Sequence, residues 1–116
     1  MLSIAPACRL WLCTQPTDMR RSFDGLSAVV RTQLGADPTS GDWFIFINRR
    51  RTQIKVLAFE EGGYCVWSKR LEAGQFAVLG VAGSVKRSLS RTEFLAVLEG
   101  VDMVITRRRK RYKKVA

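Results

Sequence analysis

Trp43-Phe44-Ile45-Phe46-Ile47, then Asn48-Arg49-Arg50-Arg51-Thr52-Gln53, then Ile54-Lys55-Val56-Leu57-Ala58-Phe59 is the stretch that decides the fold. Its first run has no polar break, the pattern of a central strand covered on both faces. Its last run divides by parity, with Ile54, Val56 and Ala58 on one side and Lys55, Leu57 and Phe59 on the other, as in a strand paired to the first. The polar segment between them is short enough to close a hairpin. Glu61, Gly62 and Gly63 supply a second reversal, and Tyr64-Cys65-Val66-Trp67-Ser68-Lys69-Arg70 reads as the third strand of an antiparallel meander.

Upstream, Arg9-Leu10-Trp11-Leu12-Cys13 reads as a first strand stopped by Gln15 and Pro16. Phe23, Leu26, Val29, Val30 and Leu34 recur at helical spacing, with Ser22 or Asp18 as the N-cap and Gly35 placed for a left-handed C-cap. Downstream, Ser90-Arg91-Thr92-Glu93 matches a capping box. Phe94, Leu95, Val97 and Leu98 give that second helix its buried face, and Gly100 ends it. The segment 77–89 is mixed apart from a short strand near 85–89, because Gly80 and Gly83 interrupt Val78, Leu79 and Val81. These elements predict an α+β fold: an antiparallel sheet of four to five strands built around the three-stranded meander, with two helices packed on one side. The expected organisation is one domain over 1–106 and a disordered basic tail over 107–116.

Composition narrows the function. Hydrophobic residues make up 47% of the 116, enough for one core, yet no run approaches the roughly 20 apolar residues of a membrane span. The N-terminus lacks a basic start followed by an apolar block, so a cytoplasmic protein with no membrane partner is expected. Cys8, Cys13 and Cys65 are odd in number, lack Cys-x-x-Cys spacing and sit in apolar segments, as structural thiols do. There is no histidine. Asp18, Asp24, Asp37, Asp42, Glu60, Glu61, Glu72, Glu93, Glu99 and Asp102 fall at turns and helix ends, where capping explains them, and the strand interiors offer no acid pair for Mg²⁺. A nuclease built on Asp18, Asp24 and a further acid is the weakest reading. Neither catalysis nor a cofactor or metal is expected. Gly62 and Gly63 lack phosphate-loop spacing, and Trp11, Trp43 and Trp67 read as core residues rather than base-stacking platforms.

The charge points elsewhere. Arg107, Arg108, Arg109, Lys110, Arg111, Lys113 and Lys114 place seven positive charges in eight residues, most of the formal net charge of +10. Such a run has no apolar face to bury, and polyanions are its natural partners through counterion release. Arg49, Arg50 and Arg51 would project a positive knob from the first hairpin, with Lys55 nearby in sequence. Arg20 with Arg21 and Lys69 with Arg70 add two basic pairs. If they converge on the knob, the folded body carries a phosphate-binding face.

Four ordered blocks resemble the TnpB accessory proteins of the IS66 insertion-sequence family: Thr17-Asp18-Met19-Arg20-Arg21-Ser22-Phe23-Asp24-Gly25-Leu26, Phe44-Ile45-Phe46-Ile47-Asn48-Arg49-Arg50, Ile54-Lys55-Val56-Leu57, and Trp67-Ser68-Lys69-Arg70-Leu71-Glu72. Leu98-Glu99-Gly100-Val101-Asp102 resembles the family's closing helix, and Arg20, Arg49, Arg50, Lys55, Lys69 and Arg70 fall on its characteristic basic positions. Ala73 and Gln75 flank Gly74 where the family places basic residues. The resemblance implies a bacterial protein that assists transposition beside a transposase and a second accessory protein, and it supplies no catalytic residues.

Two functional readings follow. One is a DNA-binding accessory factor using the basic hairpin and tail. The alternative is an adaptor that binds the transposase or the other accessory protein without sequence-specific DNA contact. An exposed edge of the meander could also pair two copies into a homo-oligomer.

Overall fold

A computed structural model describes residues 8–77 and 83–100. The expected tail, Val101 and Asp102 of the family-like closing block, and Val78, Leu79, Gly80 and Val81 lie outside the described residues. The elements run β1 (Leu10–Cys13), α1 (Phe23–Thr32), β2 (Trp43–Ile47), β3 (Gln53–Glu60), β4 (Gly63–Arg70), β5 (Lys86–Leu89) and α2 (Arg91–Glu99). They form an α+β fold on one five-stranded sheet in the order β4-β3-β2-β1-β5.

The meander is as expected, with Ile45 opposite Val56 and Val56 opposite Trp67 in two antiparallel pairings. The sheet is mixed rather than purely antiparallel, because β1 runs parallel to β2, with Leu10 opposite Trp43. Parallel neighbours follow from the connection: a helix between two strands carries the chain back to its starting end before the second strand begins. β5 closes the other side of β1 in antiparallel register.

The two helices lie on opposite faces, which corrects the expectation of one helical side. On β2, Phe44 and Phe46 join Leu26, Val29, Val30 and Leu34 of the α1 region, together with Leu57 and Cys13. Trp43 and Ile45 point the other way, into a cluster with Phe94 and Val97 of α2 and with Ile54, Val56 and Ala58. An uninterrupted apolar strand needs cover on both faces, and one helix on each supplies it. Each fully buried Leu, Val or Phe stabilises the fold by roughly 1.5–3 kcal/mol. Trp43 and Phe94 meet edge to face at 6.1 Å, joining α2 to the sheet centre.

Helix boundaries follow local chemistry. At α2 the Ser90 side chain accepts from the Glu93 N–H at 3.0 Å, and the Glu93 carboxylate accepts from the Ser90 N–H at 2.8 Å. Gly100 closes α2 in the left-handed conformation at φ 75°. The Ala36 N–H reaches back to the Val30 carbonyl at 3.0 Å beyond α1, with Gly35 at φ 61° making the reversal. The start of α1 differs from expectation: Ser22 occupies the N-cap without a side-chain bond. Asp18 does not cap the helix either, because its carboxylate is held by Arg20 one turn earlier. Phe23 and Leu95, expected in buried stripes, are 47% and 55% exposed. Trp43 is buried, whereas Trp67, on the outermost strand, is 36% exposed.

Candidate nucleic-acid interface

The strand directions sort the loops onto two ends of the sheet. One end gathers the exits of β1, β2 and β4 with the entries of β3 and β5. There the chain places Arg20 and Arg21, the arginine hairpin, and Lys69 with Arg70. The opposite end holds Asp37 and Asp42 before β2, and Glu60 and Glu61 at the β3–β4 turn. The first end is thus the more basic, although it also carries Asp18 and Glu72, and Arg9 and Arg91 lie at the opposite end.

The hairpin Asn48-Arg49-Arg50-Arg51-Thr52-Gln53 is organised by its first residue. The Asn48 side-chain oxygen accepts from the N–H groups of Thr52 at 2.9 Å and Gln53 at 3.0 Å, and its amide donates to the Thr52 hydroxyl at 3.2 Å. A turn bond from the Arg51 N–H to the Asn48 carbonyl, 3.0 Å, places Arg49 and Arg50 at the tip. Arg51 then takes a left-handed conformation at φ 60°, a position that favours glycine.

The segment after β4 is stitched onto this hairpin. The Leu71 N–H donates to the Thr52 carbonyl at 2.8 Å, and the Phe76 N–H to the Arg51 carbonyl at 2.7 Å. Gln75 donates its amide to the Arg50 carbonyl at 2.9 Å and accepts from the Arg51 guanidinium at 3.4 Å. Arg70 stands opposite Gln53 in the sheet, so the third-strand cations flank the hairpin base.

Arg20 and Arg21 reach the same end by a different route. The Thr17 N–H donates to the Ile47 carbonyl at 3.0 Å, pinning the segment ahead of α1 beside the end of β2. Lys55 then donates its ammonium to the carbonyls of Met19 and Arg21, at 2.9 and 2.8 Å. Lys55 therefore anchors the Arg20-Arg21 pair through two of its three N–H bonds. Arg20 is held by Asp18 at 2.7 Å, and that guanidinium holds the Asp18 carboxyl down to about 2. Arg70 contacts Glu72 at 3.3 Å across an exposed surface. Arg21, Arg49, Arg50 and Lys69 have no hydrogen-bonding or ionic side-chain partner among the described residues. They are the cations most available to a polyanion. Arg107, Arg108, Arg109, Lys110, Arg111, Lys113 and Lys114 lie outside the described residues.

Sequence reasoning passed over Lys86, which enters β5 at this same end opposite Cys13. Its ammonium lies 4.7 Å from the centre of the Trp11 ring, a cation–π contact, while the Trp11 indole donates to Asp42 at 3.2 Å. The Lys86-Arg87 dipeptide was the available signal, masked by its mixed surroundings. Arg87 instead pairs with Glu93 at 2.9 Å. No group of three or more Cys, Asp or Glu that could hold a metal occurs among the described residues. No helix among them is long and apolar enough to cross a membrane.

The family model of IS66 Orf2-like proteins matches residues 8–108. Two Sinorhizobium fredii proteins are similar along their length: y4jC is 33% identical over 118 aligned positions, covering all of both chains. The other, y4hO, is 31% identical over 102 positions, covering 88% of each. No solved structure matches the chain.

Proposed function

Because this chain belongs to the IS66 Orf2-like family of transposition-associated accessory proteins, we propose that it works by binding DNA, with the basic end of its sheet as the docking face. The observation that carries this reading is convergence: Arg20 and Arg21, Arg49, Arg50 and Arg51, and Lys69 with Arg70 come from three segments distant in sequence and meet at one end of the sheet. A solubilising surface has no need of such gathering, and the carboxylates at the other end would disfavour phosphate there. The hairpin tip would rest on the duplex backbone, with Lys55 positioning Arg20 and Arg21. The basic residues Arg107, Arg108, Arg109, Lys110, Arg111, Lys113 and Lys114 would add non-specific affinity. The protein would contribute binding and positioning to transposition rather than bond chemistry, beside the transposase and a second accessory protein of the element.

Fluorescence anisotropy on labelled element-end and scrambled duplexes across a salt series tests this. The chain, an Arg49→Ala/Arg50→Ala variant, and a variant with serine at the seven basic tail positions would be compared. Each phosphate contact contributes about 0.9 to the log–log salt slope. The hairpin variant should therefore lose a slope of about 2, and the tail variant should retain any preference for element ends. Unchanged binding by the hairpin variant would remove the body from the interface. The adaptor reading, with acidic protein surface as the ligand, would then lead.

A further inference from the structure

We propose that β4 is a self-pairing edge through which two copies of this chain form a two-fold dimer with one continuous sheet. β4 is the outermost strand and is eight residues long. Glu60 and Gly63 close a two-residue turn as a paired couple, which fixes the alternation along the strand. Gly63, Cys65, Trp67 and Lys69 exchange their backbone bonds with β3. Tyr64, Val66, Ser68 and Arg70 therefore turn their N–H and C=O groups outward. Among the described residues no backbone hydrogen bond reaches that outer rim.

The opposite edge is built differently. β5 is four residues long and begins with Lys86-Arg87, the short charged form that discourages pairing. β4 instead carries the uncharged run Tyr64-Cys65-Val66-Trp67-Ser68, with Trp67 36% exposed. Its charges sit at the extremes: Glu60 and Glu61 lead into the strand, and Lys69 and Arg70 end it. This gradient is complementary to itself only head to tail. An antiparallel second copy sets each Lys69-Arg70 beside the other's Glu60-Glu61, whereas a parallel copy would stack like charges.

A two-fold axis perpendicular to the sheet must pass midway between a residue and the same residue of the second copy. With the axis between the two Val66 residues, outward groups meet outward groups: Val66 with Val66, and Tyr64 with Ser68 in both directions. Trp67 then lies opposite Cys65 of the second copy, a large ring beside a small side chain. Lys69 and Arg70 fall opposite Gly63 and Gly62, next to the glutamates.

The test is sedimentation equilibrium of the full chain at micromolar concentration without DNA, compared with Ser68→Pro. Proline at Ser68 removes an outward N–H and leaves the β3 pairing intact, so circular dichroism should be unchanged. The chain should sediment at twice 13.1 kDa, and Ser68→Pro should weaken association by about tenfold or more. Raising the salt should also weaken it. Register is read separately: in Trp67→Cys the new thiol faces native Cys65 across a non-hydrogen-bonded pair, so mild oxidation should give a covalent dimer that Cys65→Ser abolishes. A monomer at these concentrations overturns the proposal, as does a dimer undisturbed in a folded Ser68→Pro. If Ser68→Pro does not fold, failure of Trp67→Cys to crosslink overturns it.

Discussion

β3 is bounded by two hairpins that solve the same reversal in different ways. At the Glu60–Gly63 end, Glu61 at φ 47° and Gly62 at φ 81° make a two-residue turn whose twist matches the strands it joins. That turn is complete in itself. At the 48–53 end the loop is longer, carries three adjacent arginines, and depends on the Asn48 side chain and on Gln75, twenty-five residues from the Arg50 carbonyl it bonds. The acidic hairpin is thus specified locally. The basic one is held by tertiary contacts, as expected where like charges are concentrated and must be kept in one place.

Breaking the support of the basic hairpin should have the largest effect. Asn48→Ala removes three hydrogen bonds at a half-buried position and leaves the Thr52 and Gln53 N–H groups to find other partners. At about 1 kcal/mol per bond, the loss should be roughly 2–3 kcal/mol. Urea denaturation gives the value, and hydrogen exchange should show the loss concentrated at 48–53 and the stitched 71–76 segment. An effect confined to the hairpin tip would mean that the Gln75 contacts suffice without Asn48.

The acidic hairpin should respond in the opposite direction. Glu61 holds a positive φ that asparagine tolerates better, and Asn-Gly is the preferred pair for this turn. Glu61→Asn should stabilise the protein by roughly 0.5–1 kcal/mol in the same assay. A destabilising result would assign Glu61 an ionic role in the free chain and sharpen the contrast between the ends.

The same division separates what the sequence made legible from what it hid. The meander, its parity and the Ser90–Glu93 capping box are patterns of neighbours within a few residues, and all three appear as expected. The parallel β1–β2 pair was readable in principle, since a helix standing between two strands is the usual form of a parallel crossover. The apolar run 43–47 also demanded cover on both faces, which conflicts with two helices on one side. Convergence of the basic pairs was not readable. It rests on Thr17 meeting Ile47, Lys55 meeting Met19 and Arg21, and Leu71 meeting Thr52, contacts that no local pattern encodes. Arg51 gave no warning of its left-handed conformation either, because arginine rarely takes it.

The smallest expected effect concerns the carboxylate held at the basic end. Asp18 accepts from the Arg20 backbone N–H at 2.9 Å and from its guanidinium at 2.7 Å, and these bonds lower its pKa from 3.8 to about 2. A carboxylate with a depressed folded-state pKa binds its proton more readily when unfolded, so it stabilises the fold above pH 3.8 and loses that contribution as the pH falls through about 2. The pair is exposed, at 91% and 42% for the two side chains, so solvent screening keeps the contribution small. Asp18→Asn keeps an oxygen for the Arg20 N–H and removes the charge. Melting temperatures of the two proteins should differ slightly at pH 5 and converge as the pH approaches about 2. A difference that persists in acid would place the role of Asp18 in turn geometry rather than charge. At the acidic end Asp37 is lowered chiefly by the Thr39 hydroxyl and N–H, with the Arg31 charge a smaller cause, and no cationic side chain among the described residues is bonded to it. Its pH dependence should therefore resist added salt, whereas that of Asp18 should shrink with it.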